Sequence, residues 1–370
     1  MPLSVDSYQQ AETRGRASSC NRVIEAFLPE VFNSVGYPTR VGEEAELWRY
    51  VDTMHETRFA ATVEGLLGGL SGDEFELFQR ATELVCGLTQ RLFGRKLPSY
   101  NALLRAMAIF RHIRCLQPSR VLEFGPGSGY LGLLLILDGL NYTGVENTQA
   151  FYLWQNRLWE EAASGSFADQ AESNSVARVT HIPWWRVVDL DLELQTPSFD
   201  LVTANHCLCE MHLRAMKYYL RWANRQLRES PLGVFLFEGW GWDGLRLPTV
   251  VAEEFHRCGF AMCHNQKGFT AYELSGRNPD LCARIPRPVP LYRRLRNLAR
   301  RAVMLDPVAY EYLPPAHSHP QHPVSRALSA VASVPRQVGV REIWAYLESL
   351  HGADLIGPEE RFLSLIQASL

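Results

Sequence analysis

Residues 205–212 read Asn-His-Cys-Leu-Cys-Glu-Met-His, a run dense in side chains that donate, accept or carry protons. His206 is the first candidate for a general base, because an imidazole titrates near neutrality. Glu210 is the second, either as a base itself or as the acid that orients His206. Asn205 would hold one end of a substrate or ligand. Asn and Glu also serve as ordinary caps where a helix begins, so each has a purely structural reading beside the chemical one. A second group lies upstream: Glu123, Gly125, Gly127 and Gly129, followed later by Glu146. Glu123 stands inside an apolar run, and a buried carboxylate needs a cation or strong donors. Glycines at alternate positions let backbone pass close to a ligand. Glu146 can accept both hydroxyls of a ribose. The two groups ask for a ligand with a nucleoside at one end and an ammonium at the other, beside a site for proton transfer.

The elements that must position these residues follow from pattern. Residues 121–124 are apolar and too few for a helix, so they read as a buried strand. The glycines follow, with Pro126 fixing one backbone angle among them. Residues 131–140 read as a helix ended near Gly139 and Asn141, and 142–145 as a second strand stopping on Glu146. A strand, glycine turn, helix, strand and acid form the half-domain that binds a nucleoside at the carboxyl end of a parallel sheet. A helix over 151–163 and a loop over 164–175 lead to a third strand, 176–182. Pro183-Trp184-Trp185 closes that strand where an adenine would lie, and Trp184 could stack on the purine face. A fourth strand spans 199–204, and the reactive run 205–212 lies just beyond its carboxyl end. After it come a helix over 213–229, a strand over 233–237 and a helix over 250–258. Two last strands, 260–264 and 269–274, are joined by a tight turn at 265–268.

Residues 127–132 match the dinucleotide pattern G-x-G-x-x-G, and Glu146 stands near its expected offset. Glu123 decides between cofactors, since a pyrophosphate offers it neither cation nor donor, whereas the α-amino group of a methionine moiety offers both. Glu123, Gly125, Gly127 and Gly129 resemble the E/D-x-G-x-G-x-G motif of class I S-adenosylmethionine-dependent methyltransferases. The layout of 98–276, with its terminal hairpin, is similar too. Asn205 with Glu210-Met211 resembles the corresponding block of the sugar O-methyltransferases, although Cys207 stands where that block often has a small hydroxyl residue. The resemblance implies an α/β, Rossmann-like seven-stranded fold with a parallel sheet and terminal β-hairpin, plus helical N-terminal and C-terminal additions. It implies S-adenosyl-L-methionine as cofactor, held by Glu123, Gly125, Gly127, Gly129, Glu146 and Trp184. It also implies methyl transfer to a hydroxyl of a sugar or other small molecule, served by His206, Glu210 and Asn205. The Asn-Pro-Pro-Tyr type of block is absent, which argues against amide and nucleic-acid amino acceptors. Methylation of a protein side chain or an amine, and cofactor binding without catalysis, stay open as alternatives.

Composition sets the frame. The 370 residues are 46% hydrophobic and 21% charged, ordinary values for a globular protein. A net charge of −3 gives no reason to expect nucleic acid or membrane partners. The eight cysteines lack a disulfide rhythm, the first 19 residues lack the apolar core of a signal peptide, and no run is long enough for a membrane span. A cytoplasmic location is expected. Four regions are expected: 1–19, disordered or loose; 20–97, helical and placed to act as a lid; 98–276, the cofactor-binding domain; and 277–370, basic and partly helical. The helical stripes of 20–97 fall on 43–67 and 73–93. Seven arginines crowd 284–301, read as a solvated basic face, and short helices are expected over 340–350 and 359–370. No metal is assigned: Cys207 and Cys209 have no second cysteine pair at finger-like spacing, and His317, His319 and His322 have no acid or cysteine beside them. Divalent binding through Asp189, Asp191 or Glu210 is the remaining option.

Overall fold

The computed structural model describes residues 3–18, 27, 38–52, 59–171, 173, 175–187, 199–241, 245–277 and 321–355. Eight strands form one sheet: β1 (Arg120–Phe124), β2 (Asn141–Glu146), β3 (Phe167–Asp169), β4 (Val179–Pro183), β5 (Leu201–Thr203), β6 (Val234–Glu238), β7 (Phe260–Gln266) and β8 (Phe269–Leu274). Their order across the sheet is β3-β4-β2-β1-β5-β6-β8-β7. The pairs among the first six strands are parallel, and β8 runs antiparallel to both β6 and β7. Leaving out the edge strand β3, this is the Rossmann-like class I methyltransferase layout that the sequence implied. Because β1 is flanked by β2 and β5, the glycine turn, Glu146 and residues 205–212 all emerge along one edge of the sheet.

Five helices of the α/β unit cover the sheet: α3 (Tyr100–Leu116), α4 (Tyr130–Leu137), α5 (Gln149–Ala163), α6 (Leu213–Leu227) and α7 (Pro248–Arg257). Helix α4 is apolar almost throughout and lies buried between sheet and neighbours, so it carries no polar face. Asp200 fixes the start of β1 by accepting from the backbone N–H groups of Ser119 (2.8 Å) and Arg120 (3.1 Å). Among the described residues, α1 (Val5–Ser18) and α2 (Gly72–Phe93) precede this unit, and α8 (Pro323–Ala330) and α9 (Val340–Ser349) follow it. A buried ion pair ties α2 to α3: Arg111 donates to both oxygens of Glu74 (2.7 and 2.9 Å) and to the carbonyls of Leu67 (2.6 Å) and Gly69. Among the described residues no helix is long and apolar enough to cross a membrane.

Three expectations are corrected. The sheet has eight strands, because β3 forms inside the stretch read as a loop and pairs in parallel with β4. Residues 5–18 are a packed helix, with Val5, Tyr8 and Ala11 buried, where a loose terminus was expected. The segment 43–67 is not one α-helix: Glu44–Tyr50 is a 3-10 helix opened by a capping box of Glu43 and Glu46, and Ala61–Leu67 is a wide π-type turn. Residues 278–320 and 356–370, with the arginine-rich stretch, His317, His319 and the expected last helix, lie outside the described residues, as do Asp189 and Asp191.

Candidate active site

The turn after β1 takes left-handed backbone at Gly125, Gly127 and Gly129 (φ +64°, +58° and +78°), which side-chain-bearing residues rarely adopt. Helix α5 holds this turn from behind. Trp154 Nε1 donates to the Ser128 carbonyl (3.1 Å), Trp159 Nε1 to that of Gly129 (3.0 Å), and Gln155 Nε2 to that of Gly127. A Cβ on Gly129 would press on Gln155 and on the Trp159 indole, so glycine is required by space as well as by angle.

Glu123 is buried at the end of β1, as its apolar setting predicted. Its carboxylate accepts from Tyr142 Oη (2.7 Å) and Asn205 Nδ2 (3.3 Å), two neutral donors. Burial pushes its pKa up to about 7; the two hydrogen bonds pull it back only in part, and the nearby Glu146 adds to the rise. Asn205 is thus drawn into the framework. Its amide also donates to Thr203 Oγ1 (3.0 Å) and accepts from the Glu238 backbone N–H (2.9 Å), joining the ends of β5 and β6.

Glu146 ends β2 and is buried. One oxygen accepts from the Asn147 and Thr148 backbones (2.8 Å each) and Thr148 Oγ1 (3.1 Å), and the other from Gln155 Nε2 (3.0 Å). Burial raises its pKa against these donors. The second oxygen has that one bond from Gln155, which leaves it a lone pair. Trp184 is placed differently from expectation. It is fully buried in the short turn Trp184–Arg186, its indole N–H donates to Glu12 of α1 (3.1 Å), and the Arg16 guanidinium lies over its ring at 5.9 Å. Helix α1, which the polar sequence hid, packs against this turn.

His206 stands in the loop after β5 with φ +52°, an unusual conformation for a residue with a side chain and one found where surrounding structure enforces it. The enforcement comes from the loop after β6. His206 N donates to the Glu238 carbonyl (3.1 Å) and Cys209 N to the Trp240 carbonyl (2.7 Å). A Cβ on Gly239 would collide with the His206 ring, and one on Gly241 with its carbonyl. An acidic neighbour of the ring is Glu238, whose Oε2 lies 3.6 Å from Nε2. Arg105 of α3 completes the group, with Nη2 3.2 Å from His206 Nε2 and 3.5 Å from Glu238 Oε1. Arginine only donates, so a bond from Arg105 needs a lone pair on Nε2, whereas a bond from Nε2 to Glu238 needs a proton there; the two neighbours favour opposite tautomers. Burial would raise the Glu238 pKa, but His206 and Arg105 outweigh it and hold the carboxyl below its ordinary value.

Glu210 is half-buried, and its charge joins burial in pushing the Cys207 thiol up. That thiol donates to the Phe124 carbonyl (3.4 Å) and lies 3.3 Å from where a Gly125 Cβ would be, so the loop carrying His206 rests directly on the glycine turn. His322 pairs with Glu273 at 3.1 Å, and among the described residues no cluster of His, Cys, Asp or Glu could hold a metal. Sequence reasoning missed Arg105 and Glu238. Arg105 gave no local signal. Glu238 did: like Glu146, it is an acid on the last residue of a strand, followed by glycine.

No family profile and no curated protein matches the chain. Solved structures are similar to it over part of the chain. The O-methyltransferase TomG from Streptomyces achromogenes, in complex with S-adenosylmethionine, is 19% identical over 62% of this chain and 98% of its own, with a TM-score of 0.34. The S-adenosylhomocysteine-bound methyltransferase PaMTH1 from Podospora anserina is 13% identical over 58% and 92%, at 0.35. The [4+2]-cyclase SpnF is 17% identical over 70% and 87%, at 0.34.

Proposed function

We propose that this chain is an S-adenosylmethionine-dependent methyltransferase acting on a hydroxyl of a sugar or other small molecule, with His206 as general base and Glu238 as its orienting acid. The observation that carries the reading is the seating of Cys207 against Gly125, which fixes a histidine–carboxylate pair beside a glycine turn. The site suits the cofactor. A buried Glu123 with only neutral donors and a pKa near 7 gains most from an ammonium partner, and Glu146 has an oxygen open to a ribose hydroxyl. When bound, the cofactor supplies an electrophilic methyl group.

The chain's own residues then handle the proton. In the tautomer that Arg105 favours, His206 Nε2 offers a lone pair. On taking the acceptor's proton, Nε2 becomes a donor, Arg105 becomes its repulsive neighbour, and both cations find Glu238. A carboxylate that accepts the new charge stabilises the imidazolium without itself becoming protonated, and a positioned base of this kind typically contributes ~10²–10⁴-fold. Cofactor binding without catalysis would leave this paired, conformationally enforced histidine without a task. The test is incubation of the purified chain with methyl-labelled cofactor and a panel of sugars, phenols, amines and peptides. Label in a hydroxyl-bearing small molecule supports the reading; label confined to peptides or amines, or none anywhere, sinks it.

A further inference from the structure

Helix α1 sits on the turn Trp184–Arg186 at the end of β4, where the nucleoside end of the cofactor would lie. Its inward residues are specific. Tyr8 packs edge-on against Trp185 (4.8 Å between centroids) and lies 5.3 Å from Tyr152. Glu12 takes the Trp184 N–H and pairs with Arg40 at 2.6 Å, and Gly15 lies so close to the Trp185 indole that a Cβ would overlap it. A helix serving only to cover the sheet would bury polar atoms in satisfied form. Here they are not satisfied. Tyr8 Oη is wholly buried and makes no well-formed hydrogen bond: the Trp184 N–H beside it is given to Glu12, and its charged neighbours are Glu12, Arg40 and Glu146. On α5, Gln155 Oε1 is also buried and unpartnered, although Gln155 Nε2 already holds Glu146. Such atoms are costly to bury unless something meets them. A hydroxyl and an amide oxygen near Glu146 match the mixed donors and acceptors of an adenosine.

We infer that α1 is a wall of the cofactor site and that the Tyr8 hydroxyl hydrogen-bonds the adenosine moiety, together with the free amide oxygen of Gln155. This rests on the cofactor reading given above and extends it to a helix outside the α/β unit. Tyr8→Phe in the full chain separates binding from structure, because it removes a buried hydroxyl that the unliganded protein leaves unmet. S-adenosylhomocysteine affinity by calorimetry should fall about two- to tenfold, the worth of one neutral hydrogen bond. Adenosine affinity should fall by the same factor, while the melting temperature without ligand holds or rises. Backbone amides of Val5–Ser18 should exchange more slowly once ligand is bound. Unchanged or tighter affinity in Tyr8→Phe overturns the inference, as does a drop in unliganded stability that accounts for the whole loss. Failure of the unaltered chain to bind S-adenosylhomocysteine overturns the cofactor reading itself.

Discussion

Glu123→Gln should make the unliganded protein more stable at neutral pH while abolishing tight cofactor binding. The buried carboxyl has its pKa raised from 4.5 to about 7, so the folded state holds a proton that the unfolded chain has already released across that window. Stability linked to this group is therefore full below pH 4.5 and falls as pH rises, by about 1.4 kcal/mol per pH unit, levelling off above pH 7. The whole effect is on the order of 3 kcal/mol at pH 8. Glutamine keeps an oxygen for Asn205 Nδ2, and its amide N–H can donate to the Tyr142 hydroxyl, which accepts as readily as it donates. The glutamine variant should track the parent in urea unfolding at pH 5, then pull ahead through pH 6 and 7. S-adenosylhomocysteine affinity should move the other way. The parent should lose about tenfold per pH unit below pH 7, because the carboxyl must first ionise to meet an ammonium, and the variant should bind weakly at every pH. Parallel unfolding profiles at all pH values would falsify the assignment of a raised pKa. A variant that binds like the parent would remove Glu123 from the cofactor site.

Other outcomes follow from the same geometry. His206→Ala should lower kcat by about 10²–10⁴-fold with cofactor affinity nearly unchanged, measured on whichever acceptor the panel yields; near-full turnover would shift the role of base to Glu210. Glu238→Gln should lower kcat by removing the carboxylate that faces His206 Nε2, with S-adenosylhomocysteine affinity by calorimetry close to the parent, and full turnover would show that Glu238 only holds backbone. Gly239→Ala should impair turnover by displacing the His206 ring while calorimetry with S-adenosylhomocysteine stays close to the parent. Glu74→Ala strands the buried Arg111 guanidinium and should cost about 3–5 kcal/mol in chemical unfolding, with no direct effect on chemistry.

The sheet was legible because its signals are local. A four- or five-residue apolar run, a glycine turn and an acid at a strand's end are read from neighbours in sequence, and β1, β2 and the hairpin came out within a residue or two. Strand β3 escaped because Phe167–Asp169 is short, sits among small polar residues, and is a strand only by pairing with β4. Helix α1 escaped for a related reason. Its buried stripe, Val5, Tyr8 and Ala11, is thin, and its partners are two tryptophans far along the chain. The site divides the same way. Glu123, Glu146 and the glycines declared themselves through spacing, whereas the partners of His206 arrive from α3 and β6 and are joined to it only by the fold. Glu238 lies far from His206 in sequence and meets it because the loop after β5 bonds to the end of β6.

Gln155 touches both halves of the cofactor site at once, donating through one nitrogen to the Gly127 carbonyl and to Glu146. With Trp154 and Trp159 beside it on one helix, the glycine turn is braced before any ligand arrives. Association would then find a finished surface, with little segmental ordering to slow capture or to oppose it entropically. Loosening the brace would show up in kinetics before it showed up in contacts. Gln155→Ala would leave both glycine and acid in place, yet ligand would have to freeze a wobbling turn on each encounter, and the methionine and ribose ends would be gripped independently.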